Sequence, residues 1–99
     1  MVSDFLKDEI TKALAQIGAK GEFAVSPEKR FGDYTTNAGL TAAASSGKNP
    51  RETAEAIIAE LLKSENFKKT VSKTEIAEPG FINFYLSDGA LKEELDNLA

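Results

Sequence analysis

The stretch "EIAEPGFINFYLSD", residues 75–88, decides the fold, because its second half predicts a strand. Large apolar and aromatic residues, which favour strands, follow a Pro-Gly pair and fill all but one of positions 81–86. Side chains alternate across a strand. One face is then wholly apolar and is expected to meet a core: Ile82, Phe84 and Leu86. The opposite face carries Phe81, Asn83 and Tyr85.

An aromatic ring, a carboxamide and a second ring on one face suit the recognition of an unpaired nucleic-acid base. A ring that stacks on such a base contributes about 1–3 kcal/mol. An amide offers both a donor and an acceptor to a base edge. Alternation alone also leaves a structural interpretation open, in which this face lies under a loop or a further element as a second small cluster.

Upstream of the strand, apolar spacing and capping residues predict two helices. The first covers 2–17, with Ser3 as its N-cap and Gly18 as its stop. The second is small and alanine-rich and ends at Gly47, and Asp33 is expected to cap its start. A helix with such small side chains lets a neighbouring element approach closely.

Two more helices are predicted further along the chain. The segment 48–64 has Asn49 as N-cap, Pro50 at the first helical position and Glu52 in a capping-box-like pair. A final helix is predicted from Ser87 onward, capped by Ser87 or Asp88. One face of that helix carries Leu91, Leu95 and Leu98.

The remaining segments predict two further strands, over 21–26 and 67–77, and a loop over 27–37 in which Gly32 permits an unusual backbone angle. The order is then helix, strand, two helices, two strands, helix. This order predicts a single α+β domain over 1–99, a two-layer sandwich. Its sheet is small and mostly antiparallel, with about three or four strands and helices on one face.

Composition narrows the function classes. The 99 residues contain no cysteine and no histidine, which removes disulfides, the usual zinc ligands and the commonest acid–base side chain at neutral pH. The absence of a signal peptide and of a long apolar run fits a cytoplasmic protein. The net charge of −4 argues against a stand-alone nucleic-acid binder, which usually carries a basic excess.

Three segments carry a family resemblance. They are "FGDYTTNAG" at 31–39, "GKNPRETAEAIIAEL" at 47–61 and "KTEIAEPGFINFYLS" at 73–87. In this order and spacing the chain resembles the N-terminal additional domain of arginyl-tRNA synthetase, over nearly its whole length. The resemblance implies a domain that precedes a class I catalytic domain and binds the elbow of tRNA(Arg) around the D-loop.

The resemblance also implies site residues. A residue before the Pro-Gly turn, the Phe after it and an amide two positions on contact an exposed D-loop base in that family. The matching positions are Glu78, Phe81 and Asn83, and Tyr85 lies on the same side of the strand. Glu78 departs from the amide or small residue expected there, and a carboxylate near phosphates is unfavourable.

The catalytic signatures of class I synthetases are absent, since His-Ile-Gly-His needs histidine and Lys-Met-Ser-Lys-Ser needs a methionine other than Met1. The resemblance therefore implies a fragment that is no enzyme alone, with ATP, magnesium and arginine bound elsewhere in a longer arginine–tRNA ligase. No metal site or cofactor is expected in the fragment. Its predicted phosphate contacts are Lys29, Arg30, Lys48, Arg51 and Lys73.

An acidic module supplies few phosphate contacts, so we expect the isolated domain to bind tRNA weakly and to add affinity by linkage. The alternative hypothesis is a protein-interaction or interdomain packing module without nucleic-acid contact, which the same exposed face would also serve.

Overall fold

The computed structural model describes residues 2–28, 30 and 32–98, except for the side chains of 96–98. The elements in chain order are α1 (Val2–Gln16), β1 (Val25–Pro27), β2 (Tyr34–Thr36), α2 (Ala38–Ser46), α3 (Pro50–Leu61), α4 (Glu65–Thr70), β3 (Val71–Ala77), β4 (Phe81–Leu86) and α5 (Asp88–Leu98). Within the described ranges, no helix has both the length and the apolar character needed to cross a membrane.

The sheet has four strands in the order β1-β2-β4-β3, and every pair is antiparallel. This confirms the predicted α+β class and the small antiparallel sheet. The strand β4 lies between β2 and β3, so both of its edges are hydrogen-bonded. A central strand is held in register from two sides, which fixes which of its side chains face the core.

The predicted apolar face of β4 lies in the core. Ile82 and Phe84 are fully buried, and Leu86 is nearly so. The ring of Phe84 meets the edge of Phe67 at a centroid distance of 6.0 Å and an interplanar angle of 78°, a favourable aromatic geometry. The helical side of the core is built from apolar stripes of α1 and α3, among them Leu6, Ile10, Ile57 and Leu61.

The turn between β3 and β4 lies against the two middle helices. Its Glu78–Pro79 peptide bond is cis. A Cβ placed on Gly80 would lie 2.8 Å from the Cβ of Pro50, and one on Gly39 would lie 2.6 Å from the carbonyl oxygen of Gly80. Small residues therefore let α2, α3 and the turn approach closely, as predicted for the alanine-rich helix.

Several predicted elements are confirmed. Asn49 caps α3, since its Oδ1 accepts from the backbone N–H groups of Arg51 and Glu52 at 2.9 and 3.1 Å. The Ser87 Oγ accepts from the N–H of Ala90 at the start of α5. Gly32 adopts a φ of +117°, in the region that favours glycine.

Other predictions are wrong. The strand expected over 67–77 begins only at Val71, because Ser64 caps the short helix α4 by accepting from the N–H of Phe67. The loop expected over 27–37 contains β2, and the first sheet strand is Val25–Pro27 rather than 21–26. Ser3 lies inside α1 and is not its N-cap.

Asp33 does not cap α2. Its carboxylate accepts from the backbone N–H of Leu86 at 2.8 Å, which extends the contact between β2 and β4. On α5, Leu91 is half-buried, but Leu95 is exposed, so the predicted leucine face is only partly buried. The side chain of Leu98 lies outside the described residues.

Candidate nucleic-acid interface

The sheet face turned away from the core, here called the outer face, carries the three candidate side chains of β4. It comprises Thr35 of β2, Lys73, Glu75 and Ala77 of β3, and Phe81, Asn83 and Tyr85 of β4. Phe81 and Tyr85 are half-buried. Asn83, between them, is 7% exposed, so it is more deeply enclosed than a surface amide.

Asn83 stands opposite Thr35 on one neighbouring strand and opposite Glu75 on the other. Neither satisfies its amide: the Thr35 hydroxyl donates to the carbonyl of Ile82, and the Glu75 carboxylate accepts from Tyr85. In the part of the chain that the structure describes, no buried side-chain oxygen or nitrogen lacks a partner. The unpaired amide of Asn83 therefore retains contact with solvent and has its donor and acceptor available.

Tyr85 is held by two residues of β3. Its hydroxyl donates to Glu75 Oε1 at 2.6 Å, and Lys73 Nζ lies 5.0 Å from its ring centroid. The hydrogen bond from Tyr85, with the nearby Lys73 ammonium as a lesser cause, lowers the pKa of Glu75 below its usual value. The same hydrogen bond raises the pKa of the Tyr85 phenol. At neutral pH the carboxylate is therefore ionised and the phenol is protonated.

Phe81 lies at the other end of the outer face, beside the turn. Its cross-strand partner is Ala77, which has a short side chain, and Phe81 itself is half-buried. Glu78, in the turn, receives a hydrogen bond from Arg51 Nη1 at 2.9 Å, and both side chains are largely exposed. Arg51 therefore offsets the negative charge of Glu78, the residue that departs from the amide or small residue expected at this position.

The predicted phosphate contacts are dispersed. Lys73 lies on the outer face, and Arg51 lies beside the turn at its end. Arg30 is exposed, and its backbone N–H donates to the carboxylate of Glu28. Lys48 lines a separate cavity of about 240 Å³ between the ends of α1 and α2 and the start of α3. Lys29 lies outside the described residues.

Sequence reasoning missed Thr35 and Glu75 as neighbours of Asn83. Glu75 was inside the quoted stretch, but only the register of β3 on β4 places it opposite Asn83. Thr35 was assigned to a loop. A strand of three residues carries too little alternation to be recognised, so no signal in the sequence pointed to either pairing.

No cluster of three or more metal-ligating side chains occurs among the residues with a described placement. The groups that the outer face presents are two aromatic rings, one amide and a few charged side chains. These groups can stack on a flat ring, pair with its polar edge and contact a nearby anion.

Comparisons with known proteins find similarity to one family. A family model described as "Arginyl tRNA synthetase N terminal domain" matches residues 4–86. The arginine–tRNA ligase of Chlorobium phaeobacteroides (strain BS1) is 40% identical over 99 residues, which cover 96% of this chain and 17% of that protein. The arginine–tRNA ligase of Bacillus velezensis is 37% identical over 97 residues, covering 91% of this chain and 17% of that protein.

Among solved structures, the arginyl-tRNA synthetase of Plasmodium falciparum superposes with a TM-score of 0.78 over 98% of this chain and 18% of that one. The identity is 18%, so this likeness shows the fold. The chain spans less than a fifth of the length of each of these relatives.

Proposed function

The chain belongs to the arginyl-tRNA synthetase N-terminal domain family, and from this we propose that it is the tRNA-recognition module of a longer arginine–tRNA ligase. It contacts the D-loop at the elbow of tRNA(Arg). The class I catalytic domain of that cytoplasmic parent binds ATP with magnesium and arginine and carries out the ligation. The fragment corresponds to the N-terminal domain of the family and not to the catalytic domain.

The observation that carries the proposal is the amide of Asn83. It lies between Phe81 and Tyr85 on the outer face, is 7% exposed and makes no hydrogen bond within the described structure. A polar group in such a position costs stability unless a partner satisfies it. A base edge provides that partner, because it presents donors and acceptors in one plane.

The neighbouring residues supply the other parts of a base site. Phe81 offers a partly exposed ring on which an unpaired base can stack. Tyr85 bounds the site at its other end. Glu78 contributes no direct base contact in this proposal. It holds Arg51 beside the turn, where the guanidinium can reach a phosphate while staying close to its carboxylate.

The test is a Phe81→Ala, Asn83→Ala double substitution in the full-length ligase. We expect affinity for tRNA(Arg) and kcat/KM for aminoacylation to fall at least about tenfold, since base stacking and one base-edge contact are lost. Activation of arginine by ATP in the absence of tRNA is expected to stay unchanged. The far-UV circular dichroism spectrum should also be unchanged.

The matched control is Leu62→Ala with Asn66→Ala, which removes an exposed apolar side chain and an exposed amide at α3 and α4. It should leave tRNA binding unchanged. If the outer-face variant also binds and charges tRNA normally, recognition by this face is excluded. The alternative of a protein-interaction or packing module then takes its place.

A further inference from the structure

A bulge in β3 gives Lys73 its position on the outer face. Val71 pairs with Leu86 and Lys73 pairs with Tyr85, so Ser72 is an extra residue in the ladder. In a regular strand, residues 71 and 73 would share a face. The bulge instead lets Val71 enter the core while Lys73 points outward, and such irregularities commonly re-aim a side chain.

The redirected lysine lies over the ring of Tyr85, which is half-buried. Its Nζ is 5.0 Å from the centroid of Tyr85 and 3.6 Å from Glu75 Oε2. Glu75 also accepts the Tyr85 hydroxyl, so one carboxylate holds both the ring and the cation above it. Lys73 therefore occupies the region over the ring in which a base would stack.

We propose that Lys73 takes the place of a base on the Tyr85 ring in the free protein, and leaves it for a phosphate when an unpaired base arrives. This exchange rests on the proposed tRNA-recognition function. Both contacts that hold Lys73 are solvent-exposed, and exposed cation–π contacts and ion pairs are weak. Base stacking on an aromatic ring is stronger, and the displaced ammonium gains a phosphate partner.

Glu75 is then a positioning residue whose charge restrains the exchange. In the free chain it keeps Lys73 over the ring, and in the complex it must give up that partner. Removing its charge while keeping a hydrogen-bond acceptor for Tyr85, as in Glu75→Gln, should release Lys73. A purely structural role for Glu75 predicts weaker RNA binding in this variant, whereas the exchange predicts tighter binding.

The first test is NMR of the 99-residue chain with an unmodified tRNA(Arg) transcript as the probe. In the free chain, the Lys73 side-chain methylene protons near its ammonium should be shifted upfield by the Tyr85 ring, and Tyr85→Leu should abolish this shift. On addition of the transcript the shift should disappear, while the Phe81 and Asn83 signals also move. Absence of the upfield shift in the free chain would overturn the proposal.

The titration separates the two proposals. If Phe81 and Asn83 respond to the transcript while Lys73 stays over the ring, the recognition function stands and the exchange is wrong. If no outer-face residue responds, the recognition function is wrong and the exchange fails with it.

The second test is a double-mutant cycle on affinity for the same transcript. Glu75→Gln should tighten binding about threefold or more at low salt, and Lys73→Gln should weaken it and reduce the salt slope by about one ion. In the Lys73→Gln background, Glu75→Gln should no longer tighten binding. If its gain persists there, the gain comes from relief of repulsion alone and the exchange is excluded.

The matched control is the exposed pair Glu65 and Lys68 on α4, whose ion pair measures 3.1 Å. Glu65→Gln changes the net charge by the same amount as Glu75→Gln. It should change affinity by clearly less than the outer-face variant, and an equal gain would overturn the exchange.

Discussion

Asn83 is an unfavourable residue for the position it occupies. It lies in one of the two inner strands with 7% exposure, and its amide has no partner among the described residues. Asparagine is depleted in strands, whereas β-branched residues fit a pleated, half-buried surface. A residue that weakens its own strand and leaves hydrogen-bonding capacity unused is typical of a binding site that gives up stability for function.

Replacing Asn83 with valine should therefore stabilise the free chain. We expect Asn83→Val to raise the free energy of unfolding by about 0.5–1 kcal/mol, the scale of strand preferences. Urea unfolding followed by circular dichroism measures this change. The same variant should lose binding to tRNA(Arg), because valine offers nothing to a base edge.

Thr35→Val is the matched control, since Thr35 lies opposite Asn83 on the same face. Its hydroxyl bonds to the carbonyl of Ile82 inside the protein, so the control should not be stabilised. A loss of stability of more than about 1 kcal/mol in Asn83→Val would instead assign the amide a structural role.

Tyr34 gives the chain a pH dependence at the alkaline end. Burial, and then the hydrogen bond to Glu94 at 3.0 Å, raise the pKa of its phenol. The unfolded chain loses this proton near pH 10, whereas the folded chain retains it to higher pH. The contribution of Tyr34 to the stability is therefore fully present below a pH of about 10, and it is lost as the pH rises through the folded pKa.

Absorbance of tyrosinate at 295 nm and urea unfolding between pH 8 and 11 measure this dependence. Tyr34→Phe should remove one titrating phenol and flatten the alkaline loss of stability. The remaining phenol, Tyr85, also has a raised pKa, so the variant should keep a smaller loss. An unchanged alkaline profile in Tyr34→Phe would contradict the assignment.

At the scale of elements, the packing of α2 against α3 and the β3–β4 turn depends on glycines, because they have no side chain. A Cβ on Gly39 would meet Gly80 O at 2.6 Å and Ala54 Cβ at 2.8 Å, and neither of these atoms is at the end of a flexible side chain. The fold therefore accepts the conformational cost of a glycine inside a helix to bring the turn close to it.

We expect Gly39→Ala to lower the free energy of unfolding by about 1–3 kcal/mol, the usual cost of overpacking, despite the better helix propensity of alanine. Gly89→Ala, in α5, is the control because a Cβ there meets nothing within 4 Å. It should be neutral or stabilising by up to about 1 kcal/mol. Urea unfolding measures the free energy of unfolding of both variants, and equal values for the two would exclude the packing role of Gly39.

The elements that the sequence predicted well are those with a long pattern and a local cap. The helix α3 has both, through its apolar stripe and Asn49, and β4 has alternation over six residues. The strand β2 is only three residues long and depends on its neighbours for its existence. The helix α4 was missed because the whole segment 67–77 was assigned to one strand. Phe67 and Val71 are four residues apart, which is a helical spacing, and Ser64 three residues before Phe67 is a cap signal.

The candidate site also divides into a part that a local pattern predicts and a part that depends on neighbouring strands. Alternation within β4 places Phe81, Asn83 and Tyr85 on one face, which needs only local information. The partners that decide what each residue can do come from other strands. Glu75 and Lys73 face Tyr85 through a register that includes a bulge, and periodicity does not predict a bulge.

At the scale of the whole molecule, the charge limits what the domain can do alone. The net charge is −4, and Arg51 and Lys73 near the outer face are each paired with a carboxylate. Few phosphates can be neutralised by such a surface, so long-range attraction to nucleic acid is weak. In the proposed function, the affinity for tRNA then comes from stacking and base-edge contacts at one small site.

We therefore expect the isolated chain to bind tRNA(Arg) with a dissociation constant above about 10 μM at physiological salt. The slope of log affinity against log salt should be shallower than about −3.6, the duplex value for four neutralised phosphates. Linkage to the rest of the ligase makes the contact intramolecular at an effective concentration of about millimolar. Deleting the domain from the parent should then weaken tRNA binding by about the ratio of these two concentrations. Fluorescence anisotropy with labelled tRNA(Arg) at several salt concentrations measures the dissociation constant of the isolated chain, its salt slope, and the affinity that the parent loses on deletion of the domain. Submicromolar binding by the isolated chain, or a slope as steep as that of a basic nucleic-acid binder, would contradict this account of an acidic domain that works by linkage.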